Sequence, residues 1–448
     1  MFPWLLVVFV FGMNFTLWGV IGLLRLIDDR FVRRHDRPES APGPRLLRDP
    51  DAPRTGPIGL HEVAVLIPAH NESVVLAASI TAVRRLVPAG AVHVVSDGST
   101  DDTVDIARRC GARVVATPGN LGKAGALQYA IKRFGLVRRY RAVLLLDADT
   151  ELDDGYFEAA LPLFDDPAVV AVAGCARTQW SRELSHTGQL IVAHRERIYT
   201  MTQRLLKYGQ TWRSLNATHI VPGFASLYRT EILPRIDMNP PGLVIEDFNM
   251  TFEVYRRRLG RVGFRLAAVA TTQDPGTMRD YLKQTTRWSL GLWQTVRRHG
   301  LRRNLFSVVL ALTLLELVSS SLLFVLLPLL FVLLAVPELA PAVAHLPVLS
   351  TGYDFVHHYV RLDTLAVGVL LPDYLTTMLV ATVQRRPRYL LFLPFFVLLR
   401  IVDAAVTLVA LPRAFVARSS GRWTSPTRRA PIQSTVDDAV PGDAAAGQ

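Results

Sequence analysis

The sequence predicts an α/β domain joined to membrane-spanning α-helices, and three observations carry that prediction. Between residues 61 and 300, short apolar runs bounded by turn residues alternate with helical patterns. Three of those runs end in acidic or polar residues, at the edge where a parallel sheet binds ligands. Apolar runs of membrane-crossing length flank the whole stretch.

Composition agrees. Half of the 448 residues are hydrophobic and mean hydropathy is +0.25, too apolar for an ordinary soluble chain of this size. The net charge of +12 sits largely beside the apolar runs, in residues 25–34, 297–303 and 385–388. That placement fits the bias of basic residues toward the cytosolic side of membrane segments. It does not fit a nucleic-acid groove, and no zinc spacing or DNA-reading motif occurs. Cys110 and Cys175 are the only cysteines and read as core thiols, leaving no disulfide framework or metal cluster.

Along the chain, residues 3–24 are long enough for one crossing. Without a basic N-terminal region or a small-residue cleavage site they read as an uncleaved anchor rather than a signal peptide. Arg25, Arg30, Arg33 and Arg34 follow it and place its C-terminal end in the cytosol. The expected division is an anchor over 1–26, a linker over 27–60, the α/β domain over 61–277 and an amphipathic interfacial helix over 278–304. C-terminal spans follow over 305–411 and a polar tail over 412–448, disordered from 434 onward. Strands are expected at 63–67, 92–96, 113–116 and 142–146. The run 305–336 exceeds one crossing and reads as a tilted span or one broken near Pro328; 362–383 and 389–411 are two more. Three spans put the tail on the far side, whereas Arg413, Arg418, Arg422, Arg428 and Arg429 argue for the near side, and both readings stay open.

The chemistry-bearing residues cluster at strand ends. One apolar strand runs into Asp147-Ala148-Asp149, which suits a divalent metal held with a diphosphate, although acids are also common in plain turns. A second ends in Ser96-Asp97-Gly98-Ser99-Thr100. Gly98 permits a sharp turn and Ser99 or Thr100 can cap the next helix, while Asp97 suits contacts to a base or ribose. A third ends in His70-Asn71-Glu72. Lys123 opens a helix, a place that favours phosphate, but neither a Walker-type loop nor a dinucleotide fingerprint is present. Glu246 and Asp247 are adjacent acids in apolar surroundings, which raise each other's pKa; a helix N-cap there is the plainer reading. Gln284, Arg287 and Trp288 share one helix face and offer an amide, a guanidinium and an aromatic platform. The same helix also suits a membrane surface, with Trp288, Leu292 and Trp293 dipping in and Arg297, Arg298, Arg302 and Arg303 on lipid phosphates.

In this order and at these strand ends, the motifs resemble those of the family 2 glycosyltransferases, specifically the membrane-integrated processive branch that makes cellulose, chitin, hyaluronan and poly-N-acetylglucosamine. The resemblance spans residues 63–294. It implies a GT-A fold, an inverting transfer from a UDP-sugar to a growing polysaccharide, and Mg2+ or Mn2+ as cofactor. It implies Asp247 as general base, and Asp97, Glu72, Lys123, Asp147, Asp149, Gln284, Arg287 and Trp288 on the donor. Asp149 and Asp147 would hold the metal, with Asp149 the direct ligand. Gly223, Phe224, Glu246 and Trp288 would line the acceptor site. The resemblance further implies a multi-pass protein of the cell membrane with its catalytic domain in the cytoplasm, and secretion of the polymer through its own helices. Partners would be the donor, the acceptor and the lipid bilayer, with room for an accessory membrane subunit and no nucleic acid. Ser96 and Gln128 depart from the residues many relatives carry, Asp and Asn, which leaves donor selectivity open. A single-addition enzyme acting on a lipid acceptor is the alternative, since related ceramide glucosyltransferases carry a similar Q-x-x-R-W motif.

Overall fold

The computed structural model describes residues 10–31, 56–181, 183–340, 342, 345–416 and 428–429. Its centre is one eight-stranded sheet in the order β3-β2-β1-β4-β7-β6-β8-β5. Strands β1 (Val63–Ala69), β2 (Val92–Ser96) and β4 (Ala142–Leu146) are buried at every residue, as expected where helices cover both faces of a parallel sheet. β3 (Arg113–Ala116) is an edge with partly exposed side chains. Beyond β4 the sheet turns mixed. β7 (Ala225–Arg229) pairs antiparallel with β4 and with β6 (Val169–Thr178), β6 runs parallel to β8 (Arg261–Thr272) with two register shifts, and β5 (Thr150–Leu152) closes the far edge. This is the expected GT-A arrangement, a parallel α/β half merged with a mixed second half.

From β1 the chain goes to β2 and β3 on one side, and β4 lies on the other. That reversal opens a crevice at the carboxyl ends of β1 and β4, the usual ligand site of such sheets. The crevice is bordered by α2 (Leu76–Arg84), α3 (Thr103–Arg109) and α4 (Gly122–Arg133). Gly98 takes φ +63°, and a Cβ there would lie 2.9 Å from the Asn120 backbone nitrogen, so the sharp turn after β2 requires glycine. The expected cap is different. α3 begins at Thr103, whose N–H donates to Asp101 Oδ1, while Ser99 Oγ accepts from the Asn71 N–H and the Thr100 N–H donates to Asn71 Oδ1. Ser99 and Thr100 therefore tie the β1 and β2 tips together instead of capping the helix.

Among the described residues, three helical segments are long and apolar enough to cross a membrane: Leu305–Leu339, Leu362–Val383 and Pro387–Val416. Before them stand α1 (Met13–Phe31), α5 (His186–Met201), α6 (Glu246–Arg256) and α7 (Met278–His299). α8 (Leu305–Leu339) is one unbroken helix through Pro328, so the expected break does not occur there. It leaves the domain where Phe306 stacks on Tyr255 at 4.5 Å between ring centres. After α9 (Pro347–Tyr359), α10 (Leu362–Val383) returns to the domain, where Gln384 Nε2 donates to Thr200 Oγ1 at 2.8 Å. α11 (Leu393–Val416) then lies along α7. Its Leu399 packs on Tyr281, Ala410 and Ala414 cover Trp293, and Arg297 faces the Phe415 ring. Trp293, expected to dip into lipid, is thus covered by protein, and Arg298 pairs with Asp237 at 2.8 Å.

Buried ion pairs lock this bundle to the domain. Asp373 of α10 accepts two bonds from Arg197 of α5, at 2.8 and 3.0 Å, and one from Arg400 of α11 at 2.9 Å. Asp403 of α11 accepts from Tyr281 and lies 3.0 Å from His194 Nε2. Such pairs fix geometry more than they add stability. At the other end, Arg25 of α1 is buried and donates to the Tyr208 and Phe264 carbonyls, so the basic end of the N-terminal run docks on the domain. The rest of that run, residues 3–9, lies outside the described residues, as do Arg33, Arg34, most of the linker, Arg418, Arg422 and residues 434–448.

Candidate active site

The crevice gathers its polar groups from strand tips that are far apart in sequence. Asp97 leaves β2 fully buried. Its Oδ1 accepts from the Leu121 N–H at 2.8 Å and lies 2.9 Å from Thr117 Oγ1, which ties the β2 tip to the start of α4. Its Oδ2 has no partner among the described residues. A buried carboxylate oxygen without a donor is costly and suits a ligand hydroxyl or N–H.

The same tie positions Lys123, the second residue of α4. Its Nζ lies 2.6 Å from Asp147 Oδ1 and 3.1 Å from Glu246 Oε1, bridging the β4 tip to the start of α6. The two acids hold the lysine pKa well above its usual value against the burial that would lower it. Burial and the neighbouring Asp149 push the Asp147 carboxyl up despite Lys123, whereas Lys123 and Arg287 bring Glu246 below its usual range. Gly223 sits against this pair: a Cβ there would lie 3.0 Å from Lys123 Nζ and 3.3 Å from Glu246 Oε1. Phe224 accepts the Asp147 N–H at 2.8 Å, so the 222–226 segment and the Asp147–Asp149 tip are one unit.

Asp247 is not the N-cap of α6. That position belongs to Ile245, and Asp247 is the second residue of the helix. Its Oδ1 accepts its neighbour's N–H, Phe248, at 2.7 Å, and Oδ2 lies 3.3 Å from the Gly223 nitrogen as acceptor. Burial first, and then the adjacent Glu246, raise its pKa to about 6. A carboxylate titrating there can accept a proton near neutral pH.

On α7, Gln284 and Trp288 are held by a residue the sequence analysis did not single out. Arg195 of α5 donates Nη2 to Gln284 Oε1 at 3.1 Å and to Thr285 Oγ1 at 2.8 Å. Its guanidinium lies 4.4 Å from the Trp288 ring centre and 4.6 Å from that of Tyr281. Arg287 is exposed on the same helix, close enough for its charge to act on Glu246. Asp274 joins the two halves: it accepts from Tyr199 at 2.9 Å, and its carboxyl responds to both Arg195 and Asp149.

Asp149 and Glu72 complete the crevice, and Arg428 lies between them, its Nε and Nη2 donating to Glu72 at 2.7 and 2.8 Å and its Nη1 to Asp149. A guanidinium drawn into these carboxylates shows that the pocket attracts cations. Among the described residues no three His, Cys, Asp or Glu side chains form a metal cage. Magnesium or manganese at a nucleotide needs no such cage, because a carboxylate or two and phosphate oxygens suffice. The donor set at Asp147 and Asp149 therefore fits a divalent ion that arrives with a diphosphate.

Residues 64–236 match the family model "Glycosyl transferase family 2". The chain is 27% identical over 243 residues to "Probable glycosyltransferase YdaM" of Bacillus subtilis (strain 168), covering 52% of this chain and 55% of the relative. It is 27% identical over 259 residues to "Uncharacterized glycosyltransferase YaiP" of Escherichia coli (strain K12), covering 55% and 60%. The chain thus spans little more than half the length of these curated relatives. Among solved structures, the mannosyltransferase of Pyrobaculum calidifontis in complex with GDP-Man and Mn2+ is similar at a TM-score of 0.45 and 18% identity, over 87% of this chain and 99% of that one. Glucosyl-3-phosphoglycerate synthase of Mycobacterium tuberculosis in complex with phosphoglyceric acid is similar at a TM-score of 0.36 and 18% identity, over 55% and 82%.

Proposed function

We propose that this chain, which carries a family 2 glycosyltransferase domain, is a membrane-bound inverting enzyme that transfers a sugar from a nucleotide-sugar to a growing polysaccharide. The observation that carries the reading is the meeting of Asp97, Asp147, Asp149, Lys123 and Asp247 in one crevice, brought there by four separate elements. Asp97 binds the nucleoside through its free Oδ2. Asp149, supported by Asp147, holds a divalent metal that neutralises charge on the diphosphate. Lys123 and Arg287 supply fixed positive charge beside it. Asp247 takes the proton from the acceptor hydroxyl as that oxygen attacks the anomeric carbon, and one such displacement inverts the centre. Trp288 offers its ring face to the acceptor sugar.

The helices support a polymer acceptor. A cavity of about 310 Å³ lies between α1, α5, α8, α10 and α11, lined by Asn14, Thr313, Ser320, Ser321, Thr376 and Thr407 among others. His194, Arg197, Glu316, Asp373, Arg400 and Asp403 line it too, and a cavity this polar among apolar helices suits a polar substrate such as a glycan. α11 is itself long and apolar enough to cross, yet Arg428 and Arg429 beyond it lie against Glu72, Asp149 and Gln273, which favours the reading that puts the basic tail on the catalytic side.

The deciding experiment offers a panel of UDP- and GDP-sugars, with Mg2+ or Mn2+, to the detergent-purified protein and measures nucleotide release and product size. Release from one donor with a long product supports the reading. A single sugar added to lipid gives the lipid-acceptor enzyme instead, and no release from any donor overturns the catalytic reading.

Two variants test the roles. Asp149→Ala is expected to weaken nucleotide binding in the presence of Mn2+ by about 100-fold while leaving metal-free binding unchanged, the size of losing a few kcal/mol of charge stabilisation. Calorimetry with and without Mn2+ checks it. Arg195→Ala frees Gln284 and Trp288 and is expected to raise the donor KM about tenfold, with a shifted tryptophan emission, while Arg195→Lys restores the charge but not the planar, stacked geometry. Equal KM in both variants and the wild type would remove Arg195 from the site.

A further inference from the structure

Among the described residues that line the cavity between α1, α5, α8, α10 and α11, one buried polar side-chain atom is left without a partner. Arg197 and Arg400 are satisfied on Asp373, and Glu316 accepts the backbone and side-chain N–H groups of Asn14 at 2.8 Å each. His194 differs. Its Nε2 lies 3.0 Å from Asp403 Oδ2, while its Nδ1 has no partner, and the residue is 1% exposed. A carboxylate only accepts, so Nε2 carries the proton and Nδ1 presents a bare lone pair. Burial lowers the pKa of the ring, which keeps it neutral. A buried acceptor without a donor is costly, and a ligand hydroxyl relieves it. The charges around the cavity nearly cancel, two arginines against Asp373, Asp403 and Glu316, so neither an anion nor a cation is favoured as the occupant.

What lies behind His194 leads to the donor side. Asp403 also accepts from the Tyr281 hydroxyl, and the Tyr281 ring centre lies 4.6 Å from the Arg195 guanidinium. Arg195 follows His194 on α5, so the two side chains leave the helix on different sides, one to the cavity and one to α7. Arg195 holds Gln284 and Thr285 with one nitrogen and leaves Nε unpartnered among the described residues, so its grip has slack to take up. A hydroxyl donated to Nδ1 strengthens the bond from Nε2 to Asp403, because hydrogen bonds in a chain polarise one another. With Asp403 and Tyr281 ordered in this way, the donor has less left to order at Gln284 and Trp288. We propose that the cavity binds the hydroxyls of an uncharged oligosaccharide with His194 Nδ1 as anchor, and that Asp403 and Tyr281 pass its occupancy through Arg195 to Gln284 and Trp288, so that the occupied enzyme holds its donor more tightly. The coupling rests on the proposed donor roles of Gln284 and Trp288; the cavity site does not.

The test uses the full chain in detergent and two oligosaccharides, cellotriose and chitotriose. In the first readout, calorimetry without nucleotide measures their binding to the wild type, to His194→Phe and to Ser320→Leu, which narrows the cavity from α8 without touching the network. Saturable binding of either oligosaccharide, weakened about tenfold in each variant that folds, supports the site; tenfold is the size of one lost hydrogen bond. No binding of either, or equal binding in a variant that folds, overturns it. In the second readout, the affinity for UDP or GDP with Mn2+, whichever binds, is measured with and without the saturating oligosaccharide. Occupancy is expected to tighten the nucleotide about fivefold in the wild type, the low end of coupling between sites. No tightening is expected in Tyr281→Phe, which keeps the ring beneath Arg195 but loses the bond to Asp403. An unchanged wild-type affinity overturns the coupling, and a full effect in Tyr281→Phe overturns its route. If the donor panel yields only a single sugar on lipid, the polymer reading fails while the oligosaccharide titration still decides the cavity site.

Discussion

Asp247→Asn is expected to lose about 10²–10⁴-fold in kcat, the usual contribution of a positioned general base, with donor affinity nearly unchanged. The reason lies in where the carboxylate sits. The Asp247 carboxylate bonds the Gly223 and Phe248 N–H groups and makes no hydrogen bond to the Asp147–Asp149 tip, so its loss removes no direct contact at the diphosphate end. Burial and the Glu246 charge raise its pKa to about 6. The base form is needed, so kcat/KM of the wild type should fall tenfold per pH unit below about 6 and level off above it. The same shift has a stability consequence of known sign. A carboxyl whose folded pKa lies above its unfolded value favours the fold when protonated, and that contribution is lost as pH rises from near 4 through about 6. Near pH 7.5 the charged group therefore works against the fold. Asparagine removes that charge, keeps one of the two backbone N–H contacts, and should not lower the melting temperature. An inactive variant that is also markedly destabilised would mean that Asp247 is structural. Retention of most activity would remove the base assignment altogether.

The parts of this site that sequence made legible are those whose cause is local. A run of five apolar residues that ends abruptly in acids, as at Ala142–Leu146 before Asp147, reads locally as a covered strand with its polar end at an edge. β1, β2 and β4 follow that rule, and with them came Glu72, Asp97, Asp147 and Asp149. The mixed half is different. β5, β7 and β8 take their places from antiparallel pairings across long separations, and the bulges of β6 answer to β8 rather than to β6's own residues. Helix α5 hid its role for a related reason. His194, Arg195, Glu196 and Arg197 are consecutive and all buried, so each points to a different partner and no amphipathic stripe appears. Their partners Asp403, Gln284, Trp180 and Asp373 lie on other elements. The signal that could have found Arg195 is the quartet itself, four ionisable residues in a row between apolar flanks, which no solvated helix needs. Arg428 lies 279 residues from Asp149, and nothing in its neighbours announces the contact.

Lys123→Ala is expected to have the second large effect, on stability and on chemistry together. The lysine is the cation between Asp147, Glu246 and Asp247. A plain surface lysine at a helix start would change stability by less than about 0.5 kcal/mol when truncated. Breaking a buried pair costs about 3–5 kcal/mol because the partner charges stay behind uncompensated. Here Asp147 opens partly to solvent, with its side chain 30% exposed, so a loss of about 1–3 kcal/mol is the fitting expectation. The remaining acids respond by holding their protons. Lys123 lowers the pKa of Asp247 and of Glu246, so its removal should move the acid limb of the pH–rate profile above 6, toward neutral pH. That shift separates the two roles a single activity number would merge. A lysine that only contacts the diphosphate would cut donor affinity and leave the acid limb in place. A lysine that also sets the protonation of the base moves the limb, and raising the pH should then recover part of the lost rate in the variant but not in Asp247→Asn.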